Sequence, residues 1–365
     1  MEEKNSNIDF PLLIITLILI LIGLIMIMSA SGVRAYNRYG NAHYFFSRQL
    51  LFVLAGLILM LIASRLDYNI YYKYSRIILG LGFILLTLVL IPGIGRTAGG
   101  ATRWISLGFF DFQPSEAIKL ALIIYIASFV TRKSSKIQDF KKGILPVVII
   151  IGLSAFLIMQ QPDMGTAVNI IGFSFIILLV GGMRFKHLFG LSIPGVLLMG
   201  YYISSAPYRL NRVQTFLNPW EDPRGSGYHI IQSLLALGSG GLTGVGPGNS
   251  RQKFLYLPEP GTDFIFAILG EEFGFIGAAF VIILFGFFAY RGVLIALNAR
   301  DLFGSLLATG ITSMIIIQVL INIGAVTSLL PVTGITLPFI SYGGSSLLIS
   351  LYAVGILFNI SRHSQ

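Results

Sequence analysis

The stretch Tyr256-Leu-Pro-Glu-Pro-Gly-Thr-Asp-Phe-Ile-Phe-Ala-Ile-Leu-Gly-Glu-Glu-Phe-Gly274 lies where the longest polar segment of a very apolar chain meets a long apolar run. Within it, Asp263 stands where a helix is expected to begin, a position at which the helix dipole favours an acidic side chain. Glu271 and Glu272 follow inside the apolar run. Because carboxylates at membrane depth are costly, these acidic residues are candidates either for anchoring the helix or for chemistry.

The composition of the whole chain indicates a membrane protein with several spans. Hydrophobic residues make up 55% of the 365 residues and charged residues 11%, and the mean hydropathy is +0.83. A soluble fold does not need this balance. The chain has no cysteine and four histidines, none of them close together in sequence. We therefore expect no disulfide, no thiolate metal site and no zinc or haem site.

The net charge of +10 restricts the class of partner. A basic stripe for nucleic acid would need a soluble face to carry it, and the sequence shows no such face, so no nucleic-acid partner is expected. Anionic membrane lipid is the simpler partner for this charge.

We predict an all-α integral membrane protein that forms a single polytopic domain over residues 1–365. A spanning helix needs about 20 mostly apolar residues. Ten segments satisfy or nearly satisfy this requirement: 11–29, 46–64, 74–91, 115–131, 144–160, 165–183, 187–204, 263–290, 303–323 and 343–360. A large loop, at about 206–262, separates the seventh and eighth helices. We expect the first helix to remain uncleaved, because acidic residues precede it and it is longer than a usual signal core.

The distribution of Lys and Arg predicts the orientation of the helices. With the N-terminus inside, most basic residues of the short loops are cytoplasmic. Both termini are then cytoplasmic, and the large loop is extracytoplasmic. The basic residues that remain outside are Arg34, Arg38, Arg48, Arg96, Arg103, Arg209, Arg212, Arg224, Arg251 and Lys253. They indicate either mere tolerance of charge in an exported loop or a surface that attracts an anionic ligand such as a diphosphate.

The large loop contains two distinct parts. Tyr228 to Leu237 is too short to span a membrane, and its apolar positions favour a helix in the outer interface or packed on the bundle. The glycine run, Gly238 to Gly248, follows it. This run fits neither a Walker phosphate loop, which ends in Gly-Lys-Ser/Thr, nor a Rossmann fingerprint, which follows a strand. It allows either a close backbone approach to a ligand or a flexible hinge.

Helical spacing defines a face around Asp263. On a helical wheel, small residues share its side: Ala267, Gly270, Gly274 and Gly277. Such a stripe allows close approach by another helix or by a substrate tail. The wheel also predicts that Glu271 borders the same cavity as Asp263, whereas Glu272 points to the opposite side and pairs elsewhere. The alternative role of Asp263 is helix initiation, with Thr262 as a cap.

Further candidates lie at the outer ends of other helices. Glu116 and Lys119 are i and i+3, on one helix face. They form either a self-neutralising ion pair near the interface or a cation, oriented by its glutamate, that holds a pyrophosphate. Arg103, in the loop before that helix, suits phosphate binding. Asp163, at the next outer turn, is either a helix cap or a site residue.

The segment Leu329 to Ser346 mixes proline, glycine and hydroxyl residues at the outer end of the last two helices. Non-helical backbone at membrane depth is tolerated where it is buried in protein or lines a cavity. Together with the outer segments above, this composition predicts one site that faces outward.

Several long motifs occur in a fixed order over nearly the whole chain: Ala101-Thr-Arg-Trp-Ile-Ser-Leu-Gly108, Gln113-Pro-Ser-Glu116 with Lys119, Gln161-Pro-Asp-Met-Gly165, Asn218-Pro-Trp-Glu-Asp-Pro223, Gly227-Tyr-His-Ile-Ile-Gln-Ser233, Leu257-Pro-Glu259, Thr262-Asp-Phe-Ile-Phe-Ala267 and Leu337-Pro-Phe-Ile-Ser-Tyr-Gly-Gly-Ser-Ser346. With these motifs the chain resembles the SEDS family (shape, elongation, division and sporulation), the FtsW/RodA/SpoVE proteins of bacterial cell-wall synthesis. The segment from Gly248 to Pro258 is more similar to the division and sporulation branch than to the elongation branch.

The resemblance implies a peptidoglycan glycosyltransferase that polymerises lipid II, a disaccharide-peptide on undecaprenyl diphosphate, outside the cytoplasmic membrane. It implies that Asp263 is the essential loop aspartate and that Glu116 and Lys119 are the family's membrane-face acid and lysine. It also implies a class B penicillin-binding protein as the partner that supplies the transpeptidase. Two departures affect the loop: Gly261 stands where the family usually has histidine, and Pro247 interrupts its Gly-Leu-Gly-Asn motif.

These expectations combine into a hypothesis of inverting glycosyl transfer with Asp263 as the general base. Cations for the leaving lipid diphosphate are expected from Arg103, Lys119 and Arg212, with or without Mg²⁺ or Mn²⁺. The other expected substrate-binding residues are Glu116, Asp163, Ser341 and Ser345. Two alternatives are a lipid II flippase, which would need a polar path across the whole bilayer, and a noncatalytic scaffold for the transpeptidase.

Overall fold

The computed structural model describes residues 8–363 except 99, 109, 206, 255, 256 and 258. Its α-helices are α1 (Phe10–Tyr39), α2 (Tyr44–Arg65), α3 (Asn69–Leu88), α4 (Pro114–Arg132), α5 (Leu145–Met159), α6 (Met164–Val180), α7 (Phe185–Ser204), α8 (Pro207–Leu217), α9 (Tyr228–Gly240), α10 (Ile265–Leu297), α11 (Leu302–Val326) and α12 (Gly344–Arg362). A small antiparallel sheet joins β1 (Gly95–Ala98), β2 (Ala101–Ser106) and β3 (Asp111–Phe112) in that order. Short 3₁₀ turns cover Ser134–Lys136 and Pro219–Glu221, and a π turn covers Phe140–Ile144.

Each of the ten predicted segments contains a helix, so the prediction of a helical membrane protein is confirmed. Among the described residues, eight helices are long and apolar enough to cross a membrane: α1, α2, α4, α5 with the π turn before it, α7, α10, α11 and α12. Helix α6 is apolar but has 17 residues, and α3 is not among the eight. The chain is thus a multi-pass membrane protein, and a total of ten spans stays a prediction.

The core of the bundle lies around α4, α11 and α12, whose residues are mostly buried. Helix α12 packs along α2, α11 packs against α6 and α10, and α4 packs against α3. The sheet, α8 and α9 gather at one end of the bundle around a cavity, and we call this end the cavity end. The sheet and α8 were not predicted from the sequence, because both are short, polar elements between apolar runs.

The predicted helix at Tyr228 to Leu237 is confirmed as α9, and it packs on the bundle against α10. The contact is close: a Cβ added to Gly240 would lie 2.0 Å from the carbonyl oxygen of Gly270. A Cβ added to Gly270 would lie 2.5 Å from the side chain of Leu237. At Gly270 the small-residue stripe is therefore covered by α9, and at Gly274 it is covered by Leu242 and Gly244 of the glycine run.

Helix α10 is broken at Gly274, which has φ 67° and ψ −165°. The backbone groups freed by this break pair with the glycine run. The hydrogen bonds are Val245 N to Glu271 O (3.0 Å), Gly246 N to Glu272 O (3.1 Å), Phe275 N to Gly241 O (2.9 Å) and Ile276 N to Leu242 O (3.1 Å). Non-helical backbone at membrane depth requires such internal partners. The glycine run therefore supplies the backbone partners that the break in α10 requires, and its residues do not line the large cavity.

The prediction that Glu272 pairs elsewhere is confirmed. Its carboxylate forms an ion pair with Lys253, with 3.1 Å between Oε1 and Nζ, and accepts a hydrogen bond from Ser29 Oγ at 2.6 Å. Both charged side chains are buried. This contact ties α1, the loop and α10 together beside the break at Gly274.

The prediction that Glu271 shares a cavity with Asp263 is wrong. Its buried carboxylate accepts hydrogen bonds from Ser250 Oγ and from the backbone N–H of Arg251, the latter at 2.9 Å. The cavity lined by Asp263 does not include it. The physical reason is that α10 begins at Ile265, so Asp263 precedes the helix and a wheel drawn through both residues does not apply.

The hydrogen bonds between the glycine run and α10 predict which glycine substitution destabilises the protein. A Cβ on Gly244 (φ +82°) would lie 2.1 Å from the carbonyl oxygen of Glu272, whereas Gly248 (φ +79°) has nothing within 4 Å. Both Ala variants incur the strain of positive φ, about 1 kcal/mol, and Gly244→Ala adds a backbone clash of about 1–3 kcal/mol. We expect Gly244→Ala to lower the Tm in detergent clearly more than the control Gly248→Ala. Equal decreases in Tm for the two variants would show that the close packing of Gly244 against α10 does not contribute to stability.

Candidate functional site

A cavity of about 850 Å³ opens at the cavity end of the bundle. Its wall includes residues of α2, β2, β3, α8, α9, the turn before α10, and the segments 332–336 and 342–346. Polar residues from several of the segments singled out in the sequence thus line one cavity. The lining side chains include Arg103, Arg212, His229, Asp263 and Ser345.

Asp263 lies in the turn before α10 and lines this cavity. Helix α10 has Phe264 at its N-cap, and no side chain makes a capping hydrogen bond there. The alternative in which Asp263 initiates the helix, with Thr262 as its cap, is therefore wrong. The hydroxyl of Thr262 instead donates to the carbonyl oxygen of Glu259 at 3.2 Å.

The electrostatic surroundings of Asp263 favour its protonated form. Burial raises the pKa of Asp263 to about 6, the neighbouring carboxylates Glu259 and Asp163 act in the same direction, and the guanidinium of Arg103 lowers it. Within the described residues, no hydrogen bond to its carboxylate is found. A carboxyl group that faces a cavity and titrates near neutral pH suits proton transfer.

Arg103, on β2, is held rigidly at the cavity wall. Its Nε donates to the carbonyl oxygen of Gln161 at 2.9 Å, and its Nη2 donates to the carbonyl oxygen of Pro162. A Cβ added to Gly334 would lie 3.5 Å from Asp263 Oδ2 and 3.9 Å from Arg103 Nη1. The carboxylate and the guanidinium therefore both lie close to Gly334 on the cavity wall.

Asp163 is a buried helix cap, which was one of the two predicted roles. Its Oδ1 accepts the backbone N–H of Thr166 at 3.1 Å at the start of α6. Its Oδ2 lies 4.0 Å from Arg103 Nη1 and accepts from Gln113 Nε2 at 3.5 Å. Asp163 does not line the cavity, and it acts on the site through its contact with Arg103 and through its charge, which raises the pKa of Asp263.

Arg212, on α8, is an exposed side chain of the cavity wall. His229, on α9, lines the same cavity and stacks on Phe264, with 6.0 Å between the ring centroids. Sequence reasoning considered His229 only as a metal ligand and missed its place beside the cavity. The signal that points to it is its position inside the Gly227 to Ser233 motif.

The two predicted serines occupy different places. Ser345 lines the cavity, accepts the backbone N–H of Gln113 at 3.0 Å and donates to the carbonyl oxygen of Asp111 at 3.1 Å. It therefore joins the start of α12 to β3. Ser341 is buried and does not line the cavity. Its hydroxyl donates to the carbonyl oxygen of Thr262 at 2.6 Å.

Glu116 and Lys119 form a buried ion pair, 2.9 Å from Oε2 to Nζ. Lys119 also donates to Gln318 Oε1 at 2.7 Å, and Gln318 Nε2 donates to the carbonyl oxygen of Thr336 at 3.0 Å. Thr336 lines the cavity, whereas the ion pair does not. The pair thus lies behind the cavity wall, and its contact with substrate stays a prediction.

Gly261 stands where the resemblance leads us to expect histidine, and the surrounding packing matches the glycine. A Cβ at this position would lie 2.3 Å from Ser31 Oγ of α1. Gly261 also lines a smaller cavity of about 200 Å³ beside Arg34 and Arg38. Pro247, the other departure, lies in an exposed turn of the glycine run.

The described residues do not contain a group of three His, Cys, Asp or Glu side chains that could hold a metal ion. Mg²⁺ and Mn²⁺ prefer several oxygen ligands, with carboxylates in the first place. Three carboxylates line the cavity, but Asp111 is paired with Arg96 and Glu259 with Arg34, so the protein side chains in this arrangement do not fit a resident metal site.

Comparison with known sequences gives a consistent family. A model of the FtsW/RodA/SpoVE family, described as cell cycle protein, matches residues 10–365. The chain is 50% identical, over the full length of both chains, to stage V sporulation protein E of Bacillus subtilis. It is also 43% identical, over 98% of its length and 94% of the relative, to a protein of Trichlorobacter lovleyi named "Probable peptidoglycan glycosyltransferase FtsW".

Solved structures agree with the sequences. One chain, from "Structural coordination of polymerization and crosslinking by a peptidoglycan synthase complex", superposes with a TM-score of 0.81 at 28% identity, over 97% of this chain and 98% of that one. The rod shape determining protein RodA of Thermus thermophilus superposes with a TM-score of 0.72 at 26% identity, over 98% of both chains. From the family match over nearly the whole sequence, the full-length relatives and the shared fold, we conclude that the chain belongs to the FtsW/RodA/SpoVE family.

Proposed function

We propose that this chain is a peptidoglycan glycosyltransferase that polymerises lipid II into glycan strands. One observation carries the proposal: Asp263, whose pKa is about 6, faces a cavity of about 850 Å³ together with Arg103 and Arg212. Similar proteins named as peptidoglycan glycosyltransferases support the substrate class. The positive-inside rule supports a site on the outer face of the cytoplasmic membrane, with both termini cytoplasmic.

The reaction transfers a glycosyl group with inversion. Asp263 accepts the proton of the acceptor's 4-hydroxyl while that oxygen forms a bond to the anomeric carbon of the donor. The bond between this carbon and the donor's diphosphate oxygen breaks, and undecaprenyl diphosphate leaves with the electron pair. General-base assistance of this kind contributes about 10²–10⁴-fold to the rate. A carboxylate with a pKa near 6 is ionised at neutral pH and is more basic than an ordinary aspartate.

The leaving diphosphate needs positive charge in the transition state. Arg103 is pre-organised by the carbonyl oxygens of Gln161 and Pro162, so little reorganisation is needed when charge develops. Arg212 is exposed on the cavity wall and is suited to capture the diphosphate. Lys119 lies behind Gln318, and its charge adds to the positive field in the cavity.

We further propose that a class B penicillin-binding protein is the partner that supplies the transpeptidase. A structural relative belongs to a peptidoglycan synthase complex that combines polymerization and crosslinking, and this supports the pairing. The membrane lipid of the bilayer is the other partner of the apolar helix surfaces.

The flippase alternative needs a polar path through the bilayer. The large cavity lies at one end of the bundle. Among the buried charges, Glu116 pairs with Lys119, Glu272 pairs with Lys253, and Glu271 accepts hydrogen bonds from Ser250 and Arg251. This arrangement favours chemistry at one face over transport across it. The test is lipid II polymerisation by the purified chain, with and without the penicillin-binding protein and Mg²⁺ or Mn²⁺. Translocation in liposomes without polymer would favour the flippase, and polymer made by the isolated chain would exclude a noncatalytic scaffold.

The assignment of Asp263 as the base predicts the effect of removing its charge. Asp263→Asn keeps the size of the side chain but cannot accept the proton, so polymerisation should fall about 10²–10⁴-fold. Asp139→Asn is the matched control, because Asp139 is exposed and caps a turn by accepting the N–H groups of Lys141 and Lys142. Glycan length and rate are measured on gels with purified lipid II. Full activity of a folded Asp263→Asn protein would refute the assignment.

The raised pKa of Asp263 predicts the pH dependence of the rate. Only the ionised carboxylate is a base, so kcat should rise about tenfold per pH unit below pH 6 and level off above it. The measurement is the initial rate of polymerisation between pH 4.5 and pH 8. A rate that is flat from pH 5 upward would show that no group with the pKa of Asp263 limits the reaction.

The same shift predicts a stability effect that does not depend on activity. Folding raises the pKa of this acid, so the protonated form of Asp263 is compatible with the folded state and the ionised form destabilises it. The corresponding part of the free energy of unfolding is lost as the pH rises through about 6. Asp263→Asn, which stays neutral, should therefore have a higher Tm than the unmodified chain at pH 7–8. The difference should vanish near pH 4. A gap that does not change with pH would contradict this account.

The role of Arg212 in capturing the diphosphate predicts a loss that is specific to the cavity. Arg212→Gln removes one charge-assisted contact, and we expect kcat/KM to fall about tenfold. Arg224→Gln is the matched control, because Arg224 is an exposed arginine of the same loop that does not line the cavity. Equal losses in both variants would indicate general attraction of the anionic lipid and no specific contact.

A further inference from the structure

The backbone that carries Asp263 is tied to the C-terminal part of the chain by three consecutive carbonyl groups. The carbonyl oxygen of Gly261 accepts the backbone N–H of Tyr342 at 2.8 Å. The next two carbonyl oxygens accept side-chain donors, Ser341 Oγ at 2.6 Å on Thr262 and Asn322 Nδ2 at 2.9 Å on Asp263. No helix or strand includes these three residues, so the ties take the place of a regular ladder.

Asn322 is the tie closest to the carboxylate. It is a buried residue of α11, and its Nδ2 donates a second hydrogen bond, at 2.7 Å, to the carbonyl oxygen of Ile335. The neighbouring Gly334 is the residue around which Asp263 and Arg103 converge. One amide group thus sets the spacing between the backbone of Asp263 and the cavity segment opposite it.

We propose that Asn322, supported by Ser341, is a positioning residue that holds the Asp263 carboxylate in its place at the cavity wall. This inference rests on the proposed role of Asp263 as the base. The sequence predicted that Ser341 contacts the substrate, whereas its hydroxyl binds the backbone of Thr262. Neither side chain lines the cavity. Both act on the reaction through the backbone on which the base is mounted.

The physical basis is the precision that proton transfer requires. A catalytic group must be held within about 0.5 Å of its productive geometry, and a 1 Å displacement can cost about 10²-fold in rate. The Asp263 carboxylate lacks a hydrogen-bond partner of its own within the described residues, so its position depends on its backbone. Without Asn322, the carbonyl of Asp263 would lose the buried donor that now fixes it, and the turn would be free to shift.

The chain supplies a matched control for Asn322. Asn359 is also a buried asparagine in a core helix, with two hydrogen bonds to backbone: Nδ2 donates to the carbonyl oxygen of Ser64 at 3.0 Å, and Oδ1 accepts the N–H of Tyr68 at 3.0 Å. It lies near the C-terminus of α12, at the other end of the bundle from the cavity. Both Ala variants should lower the Tm by a similar amount, since each loses two buried hydrogen bonds.

The kinetic test compares Asn322→Ala, Ser341→Ala and Asn359→Ala in lipid II polymerisation. We expect kcat to fall about 10–100-fold in Asn322→Ala, and less in Ser341→Ala, with KM changed less than threefold. We expect Asn359→Ala to keep the kcat of the unmodified chain. If Asn322→Ala and Asn359→Ala have the same kcat while Asp263→Asn is inactive, the positioning role is wrong and the proposed function stands. Full activity of Asp263→Asn would instead overturn the proposed function.

A second measurement tests the placement of Asp263 without any activity. The difference in Tm between the Asp263 and Asp263→Asn proteins at pH 8 reports how strongly the fold disfavours the ionised carboxylate. If Asn322 holds that group in its buried place, the difference should shrink when Asn322→Ala is present in both proteins and stay unchanged with Asn359→Ala. An unchanged difference in the Asn322→Ala pair would overturn the inference. If Asn322→Ala does not fold, Ser341→Ala replaces it in the same cycle.

Discussion

A backbone amide or carbonyl that leaves a helix inside a membrane protein must find its partner within the protein, because hydrocarbon offers none. This constraint acts at two neighbouring places in the chain. At Gly274 the glycine run supplies the missing partners for α10. At Gly261 to Asp263, before α10 begins, donors from Tyr342, Ser341 and Asn322 supply them. Irregular backbone is therefore stable at these two places because segments distant in sequence supply its hydrogen-bond partners.

The charged side chains obey a related constraint. Apart from Asp263, each buried ionisable side chain among the described residues has a hydrogen-bond or ion-pair partner, such as Lys119 for Glu116 and Lys253 for Glu272. Asp163 caps a helix, and Glu271 accepts a backbone N–H. Asp263 differs, because burial raises its pKa and no hydrogen bond within the described part of the chain relieves it. The partnered charges therefore stabilise the fold, whereas the carboxylate of Asp263 is available for chemistry.

The sequence was sufficient for features that depend on local composition. Apolar length predicted the helices, and the short apolar stretch from Tyr228 to Leu237 predicted α9. The helical wheel also predicted that Glu272 points away from the cavity of Asp263. The position of Glu271 was not, because a helical wheel assumes a helix that includes Asp263, and α10 begins two residues later, at Ile265.

The tie from Asn322 also lay beyond sequence reasoning. It is a single amide in the apolar run of α11, and its two acceptors, the carbonyls of Asp263 and Ile335, are backbone groups that every residue carries. Nothing in their side chains marks the contact. Pairings of this kind depend on how the helices pack. The same limit explains why the glycine run suggested a hinge or a ligand loop, since the break in α10 that it repairs is visible only in three dimensions.

These two constraints meet at Asp263. A partly buried carboxylate without a partner tends to relax, either by moving to a cation such as Arg103 or by turning towards water. Either movement would lower its pKa and remove it from the point beside Gly334 that it shares with Arg103. The ties on the carbonyls of residues 261–263 oppose such movement without touching the carboxylate. The backbone carbonyls of this turn therefore have hydrogen-bond partners, whereas the Asp263 carboxylate has none within the described residues. The fixed backbone thus keeps a carboxylate with a raised pKa in the cavity.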